Sequence, residues 1–142
     1  MGGTSHNDDV YYSHMKSAGT PQQQFKAAQT YTYTHHRLHE MVDPLTKNKA
    51  GIIIRESRDF AGKPPSKGMV VSLDGTGSMS TLPEKFLAEI PKLMGALVKK
   101  GFLPNPHIMF MLNNDSSGDE YPLQATQFET GNEIELALSK FV

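Results

Sequence analysis

The clearest pattern in this chain is an apolar run that ends in a polar, glycine-rich loop. Met69 to Leu73 is nearly continuous in apolar residues and leads into Asp74-Gly-Thr-Gly-Ser-Met79. Such a run is typical of a central parallel strand covered on both faces. We therefore expect a strand that delivers this loop to the carboxyl end of a sheet.

A helix is predicted directly after this loop. Six apolar residues between Phe86 and Val98 recur at spacings of three and four, which indicates an amphipathic helix ending near Gly101. Thr81 and Glu84 are spaced as a capping box that would start it. Pro91 lies inside the helix and should bend it locally, because proline removes one backbone hydrogen bond.

The remaining pattern completes a small α/β unit. His107 to Leu112 predicts a second buried strand, and the order strand, helix, strand favours parallel pairing. A polar loop, Asn113 to Asp119, follows that strand. Leu123 to Phe128 predicts a short antiparallel edge strand, and Asn132 to Phe141 predicts a final amphipathic helix.

The first half of the chain is less clearly patterned. Residues 1–24 are polar with few apolar anchors, and we expect a disordered arm. Residues 25–67 form an N-terminal segment whose start is ambiguous between helix and strand, with a possible edge strand at Ala50 to Glu56. Residues 68–142 carry the α/β pattern.

Composition excludes several classes of protein. The chain has 142 residues, a formal charge of -1 and only three arginines, so no basic stripe favours nucleic acid or an anionic membrane. It has no cysteine, which excludes disulfides, thiolate catalysis and cysteine-based zinc sites. The N-terminus lacks the features of a secretory signal, and the default expectation is a cytoplasmic protein.

The loop after the first strand carries the candidate chemistry. Asp74, Thr76 and Ser78 place one carboxylate and two hydroxyls at alternating positions, with glycines that let the chain curl. Hard oxygen ligands of this kind suit Mg²⁺ or Mn²⁺. Asp115 and Asp119, in the loop after the next strand, could reach the same ion through water or orient its ligands, although a solvated turn of Asn, Asp and Ser is the simpler interpretation.

The sequence resembles von Willebrand factor A-like (vWA) domains, and in particular a group of largely uncharacterised bacterial and phage proteins. Val70 to Met79 is similar to their metal-ion-dependent adhesion site. The other matching segments are Arg55 to Asp59, Pro91, Ile108 to Leu112, Asp115 with Asp119, Pro122 to Gln124 and Gln127 to Glu129. Together the matches cover residues ~51 to 142.

The resemblance implies a fold and a function. The fold would be α/β with a Rossmann-like parallel sheet, incomplete because the chain stops before two further ligand loops, so one edge of Met69 to Leu73 should be exposed. Thr76 and Ser78 would be direct metal ligands, and Asp74 would act directly or through water. A protein partner's carboxylate would complete the shell, which makes the chain a binding module and not an enzyme. Asn114 departs from the glycine common in the family.

Three alternatives stay open. Asp74 to Ser78 could be an ordinary turn between strand and helix, and the chain a metal-free structural fragment that packs against a partner. Asp74-Gly-Thr76 also resembles part of the motif of haloacid dehalogenase-type phosphatases, but Ser72 stands where their nucleophilic aspartate should be. His35 and His39 could share a helix face as zinc ligands, although a polar helix surface is the simpler interpretation.

Overall fold

The computed structural model describes residues 6–47, 50, 51, 55, 57–77 and 81–142, apart from the side chains of residues 98 and 99. This part of the chain is mixed α/β. Its elements, in order, are α1 (Asp8–Ala18), α2 (Pro21–His35), β1 (Lys67–Asp74), α3 (Leu82–Met94), a π-helical turn (Gly95–Lys99), β2 (Pro106–Asn113), β3 (Leu123–Ala125) and α4 (Glu133–Leu138).

The three strands form one sheet in the order β1-β2-β3. β1 and β2 are parallel over their whole length, from Lys67 beside Pro106 to Asp74 beside Asn113. β3 is antiparallel to β2. The predicted parallel pair and the antiparallel strand are therefore confirmed, although β3 is shorter than the predicted Leu123 to Phe128.

The core lies on one face of this sheet. Ile108, Phe110 and Leu112 on β2 are each at most 3% exposed, and they pack with Leu73 and with residues of α1 to α4 in a single hydrophobic cluster. On the other face of β1, Val70 is 49% exposed. The prediction that this strand is central and covered on both faces is wrong, because β2 is the central strand and β1 lies at an edge of the described sheet.

Helix α3 follows β1 as predicted, but its start differs from the expectation. Thr81 has helical backbone angles and its side chain caps nothing, so the predicted capping box with Glu84 does not form. An N-cap hydroxyl reaches back to the helix from extended backbone, which Thr81 does not adopt. Ile90 and Met94 of the predicted apolar face are buried, whereas Leu87 takes the place expected for Phe86, which is only partly buried.

Pro91 leaves one helical carbonyl without its usual donor. In an α-helix the N–H of residue 91 would bond to the carbonyl of Leu87, and proline has no N–H. The hydroxyl of Tyr11 donates to that carbonyl at 2.8 Å. Tyr11 is 3% exposed, so α1 is held against the point where α3 is weakest.

The disordered arm predicted over residues 1–24 is wrong for the part that the structure describes. Residues 8–18 form α1, and Asn7 caps it by accepting hydrogen bonds from the backbone of Asp9 and Val10. The ambiguous stretch that follows is helical to His35. The sequence pattern does not predict α1 because the helix has few buried residues and few apolar positions.

Three further observations complete the fold. The predicted edge strand at Ala50 to Glu56 lies largely outside the described residues. The predicted final helix is confirmed as the shorter α4. Over the described ranges, none of the helices is both long and apolar enough to cross a bilayer.

Candidate functional site

The candidate site lies where β1 and β2 end side by side. Asp74 is the last residue of β1 and pairs in register with Asn113, the last residue of β2. The N–H of Gly75 donates to the carbonyl of Asn113 at 2.9 Å, which extends the pairing one residue into the loop. Ligands of parallel α/β sheets bind at this carboxyl edge.

Asp74 and Thr76 lie close together in the loop after β1. Oδ1 of Asp74 accepts hydrogen bonds from the Thr76 hydroxyl at 2.6 Å and from the Thr76 N–H at 2.9 Å. These two bonds, that of the hydroxyl first, lower the pKa of the Asp74 carboxyl below its ordinary value. The group is thus an exposed, ionised carboxylate with a hydroxyl fixed beside it. Gly77, at φ 49°, continues the loop in a conformation that favours glycine.

The neighbouring loop repeats this local motif. Oδ1 of Asp115 accepts from the N–H and the hydroxyl of Ser117, each at 2.8 Å. The bond from the Ser117 N–H, followed by that from its hydroxyl, lowers the pKa of Asp115. Asp119 accepts from the N–H of Asp115 at 2.7 Å and closes the loop. Both loops at this edge therefore present an ionised aspartate paired with a hydroxyl two residues later.

A small cavity of about 170 Å³ lies between these loops and the helices. Gly75, Glu84, Asn114 and Asp119 contribute its polar wall. The apolar wall is formed by Phe25, Pro83, Leu112, Phe141 and Val142. Oδ1 of Asn114 is buried there without a hydrogen-bond partner among the described residues. The residue that departs from the family pattern thus fills space directly beside the Asp74 loop.

The structure brings together only part of the predicted ligand set. Asp74 and Thr76 converge, Asp115 lies on the adjacent loop with Oδ1 bonded within its own turn, and Ser78 lies outside the described residues. Within those residues no three histidine, aspartate or glutamate side chains come together as metal ligands. The donors that do converge, a carboxylate and a hydroxyl, are hard oxygens of the kind that Mg²⁺ binds.

The other candidate residues do not form a second centre. The hydroxyl of Ser72 accepts from Nδ2 of Asn113 at 2.7 Å, which gives it a neighbour that cannot act as a base. His35 ends α2, so it shares no helix face with His39. Both imidazole rings lie against Tyr31 instead, with ring centres 4.1 and 5.4 Å away.

The more distant segments of the resemblance serve to hold the fold. Oδ1 of Asp59 accepts from the Ser66 N–H at 2.6 Å, ahead of β1. The Arg55 guanidinium donates to the carbonyl of Asp43. Gln124 is fully buried and makes two hydrogen bonds to the backbone of Val142.

Sequence reasoning missed Glu84 and Asn113 as neighbours of the site. The sequence pattern indicates a helix cap at Glu84 and the start of a loop at Asn113. The register of β1 against β2, which follows from parallel pairing, is the signal that could have placed Asn113 beside Asp74.

The described chain is thus a mixed α/β protein with two polar loops at the carboxyl edge of a parallel strand pair. Comparison with protein-family models, with curated proteins and with solved structures finds no match.

Proposed function

We propose that this chain is a divalent-cation-dependent protein-binding module of the vWA type, with Asp74, Thr76 and Ser78 as the centre of its metal site. The observation that carries this proposal is the 2.6 Å hydrogen bond between the Thr76 hydroxyl and Oδ1 of Asp74 at the end of a parallel strand. This bond holds two potential metal-ligand oxygens together at the edge of the sheet where ligands of parallel α/β sheets bind.

The electrostatics of the loop support a cation. Asp74 is an exposed carboxylate that is ionised at neutral pH, and the hydrogen bonds from Thr76 lower its pKa further. The lone pairs of the Thr76 oxygen stay available, because its hydrogen-bond role is that of a donor. Asp115 would add negative charge from the adjacent loop, directly or through water. When bound, Mg²⁺ or Mn²⁺ would offer an open coordination position to a carboxylate of the partner protein.

A binding role is favoured over hydrolysis by what surrounds Asp74. The position before it that a phosphatase would use for its nucleophile is Ser72, whose hydroxyl faces an amide and not a base. The Rossmann-like and vWA assignments are part of this same proposal.

The second candidate is a metal-free interaction fragment. Asp74 and Asp115 each accept two hydrogen bonds within their own loops, and such turns are stable without a cation. The two candidates differ in one observable, which is saturable binding of a divalent ion at Asp74.

The test uses the full chain with Mg²⁺ and Mn²⁺. Mn²⁺ should broaden the amide resonances of residues 74–77 and 113–117 selectively, since it relaxes only nuclei close to it. Mg²⁺ at about tenfold excess over its Kd should stabilise the fold by about 1.4 kcal/mol, or roughly 5 °C in Tm. Asp74→Asn should remove both effects while keeping an oxygen that accepts from Thr76.

Asp59→Asn is the matched control. Asp59 is also an exposed aspartate that accepts a backbone hydrogen bond, but it precedes β1 instead of following it. This variant should respond to Mg²⁺ and Mn²⁺ as the wild type does. The metal proposal is overturned if Mn²⁺ broadening is absent, or if it persists unchanged in Asp74→Asn. A partner interaction that survives Asp74→Asn would then support the metal-free fragment.

A further inference from the structure

We propose that a second cavity, formed by α1, α2 and the segment after α4, is a binding site for small organic anions that carry a carboxylate on an apolar body. Its volume is about 350 Å³, within the range of roughly 300 to 1,000 Å³ typical of small-molecule sites. It shares no lining residue with the cavity beside Gly75.

The polar lining of this anion cavity combines an ammonium group and two imidazole rings with the amide of Gln24 and the hydroxyl of Ser139. Lys140, His14 and His39 contribute to it, and no carboxylate side chain occurs among its described lining residues. Nδ1 of His14 is buried without a hydrogen-bond partner among the described residues. This nitrogen has almost no accessible surface, so the ring of His14 forms part of the wall, and the positive charge of the site comes from Lys140.

The neutral ring of His39 can donate a hydrogen bond to a ligand through Nε2. Nδ1 of His39 accepts a hydrogen bond from the Met41 N–H at 3.2 Å, so the neutral ring carries its proton on Nε2. Nδ1 is thus engaged with the backbone, and Nε2–H is the ring's donor for a ligand oxygen. The Lys140 ammonium supplies the full positive charge.

The remaining wall suits an apolar body. Ala18, Ala27 and Ala28 contribute small side chains, and the ring of Tyr31 stands among them, stacked on His35. The wall is also held in place, since Nε2 of Gln24 donates to the carbonyl of Gly19 at 2.9 Å. An inorganic anion would use the cations and leave this apolar wall uncovered, which favours an organic anion.

The surroundings of His39 favour its neutral ring. Burial, followed by the nearby Lys140 charge and more weakly by Arg37, lowers the pKa of His39, while Glu40 acts in the opposite direction. Protonation would also place a hydrogen on Nδ1, where the Met41 N–H already donates. His39 therefore serves the site as a neutral Nε2–H donor, and Lys140 carries the charge that attracts the anion.

The test is an NMR titration of the full chain with benzoate in metal-free buffer. We expect saturable shifts at His14, Tyr31 and His39. Lys140→Gln should weaken benzoate binding about tenfold, since one charge-assisted interaction is lost. Lys26→Gln is the matched control, because Lys26 is an exposed lysine of α2 that does not line the cavity.

Three further arms decide the outcome. Benzamide, which has the same apolar body without the charge, should bind much more weakly, and equal binding would overturn the anion assignment. Inorganic phosphate should also bind more weakly than benzoate, and the reverse order would overturn the organic class. Ala27→Leu should fill the mouth of the cavity and abolish binding, which keeps the test decisive if Lys140→Gln fails to fold. Absence of saturable shifts in the wild type would end the proposal.

Discussion

The hydroxyl of Tyr11 on α1 occupies the place of a backbone donor that α3 lacks. It lies 2.8 Å from the carbonyl oxygen of Leu87, four residues before Pro91. An unpaired carbonyl inside a buried helix is destabilising, and here a side chain from another helix satisfies it. Burial, chiefly, raises the pKa of Tyr11, so the phenol keeps the proton that it donates.

Tyr11→Phe should lower the free energy of unfolding by about 1 to 2 kcal/mol, since it leaves this carbonyl unsatisfied with little change in packing. Pro91→Ala restores the N–H of residue 91, so the loss caused by Tyr11→Phe should be smaller in that background. Urea denaturation of the four proteins of this cycle measures the difference. Tyr33→Phe should change nothing, because Tyr33 is 82% exposed. Equal losses in both backgrounds would show that Tyr11 does not compensate for Pro91.

Gly75 should tolerate no side chain while Asn114 stands beside it. A Cβ at Gly75 would lie 2.0 Å from Oδ1 of Asn114 and 2.9 Å from Cδ1 of Leu112. We expect Gly75→Ala to destabilise the protein by about 1 to 3 kcal/mol, the usual cost of overpacking. In an Asn114→Ala background the loss should be smaller, since the closest atom is removed.

Gly118→Ala provides the comparison for this substitution. The nearest atom to a Cβ there is Oδ2 of Asp115 at 3.9 Å, an ordinary contact. Its thermal unfolding should match that of the wild type. A Gly75→Ala protein as stable as Gly118→Ala would contradict the close approach of the two loops.

The carboxyl of Asp74 should titrate at lower pH than an ordinary aspartate. Its pKa is lowered by the hydroxyl and the N–H of Thr76, so Thr76→Val, which removes only the hydroxyl, should raise it part of the way back. Carboxyl carbon shifts in an NMR pH titration measure this. Ser117→Ala should do the same for Asp115 and leave Asp74 unaffected. An Asp74 pKa unchanged by Thr76→Val would contradict the hydroxyl contact.

The sign of the stability effect follows from the direction of this shift. A carboxyl whose pKa is lower in the folded state stabilises the fold above its unfolded pKa, near the ordinary value of 3.8. That contribution is lost as the pH falls through the lower, folded value. Acid unfolding of Thr76→Val should therefore depend less steeply on pH in this range than that of the wild type.

Asn132 should hold the start of α1 in place. Its side-chain oxygen accepts from the N–H of Asn7 at 2.9 Å, and its Nδ2 donates to the carbonyl of Asn7 at 3.0 Å. Asn132→Ala should cost about 1 to 2 kcal/mol and reduce the hydrogen-exchange protection of α1 more than that of β2. Loss of protection spread evenly over both elements would contradict a local anchor.

The sequence predicted the second half of the fold well because its signals are local and periodic. A continuous apolar run, a three-and-four spacing and a second run were enough for β1, α3 and β2. The same periodicity could not show that helices cover only one face of β1. Val70 is as apolar as Val71, but it points to the uncovered face of the sheet and is 49% exposed.

Sequence reasoning missed α1 and left α2 ambiguous between helix and strand, for two different reasons. α1 buries little besides Tyr11, and Asn7 finds its partner Asn132 at a separation of 125 residues, which no local pattern reveals. α2 did carry a local signal, since Thr20 and Gln23 form a true capping box with Pro21 between them. Thr81 and Glu84 have the same spacing but form no capping box. The spacing alone therefore does not predict whether a capping box forms.

At the candidate site, closeness in sequence was enough to predict the contact between Asp74 and Thr76, but not the contact between Gly75 and Asn114. Asp74 and Thr76 are two residues apart in a tight turn, so their convergence follows from the loop itself. The place of Asn114 beside Gly75 depends on how two strands end in register. Such a contact becomes predictable only once the pairing is known.

The hydrogen bond between the Tyr11 hydroxyl and the Leu87 carbonyl constrains how this sequence can evolve. Pro91 and Tyr11 are 80 positions apart, yet the proline creates the vacancy that the phenol fills. If Tyr11 is substituted first, the carbonyl of Leu87 is left without a hydrogen-bond donor. If Pro91 is first replaced by a residue with an N–H, the helix satisfies that carbonyl itself, and Tyr11 can then be substituted at lower cost. In any set of descendants of this chain, the proline should be exchanged before or together with the tyrosine, and seldom after it.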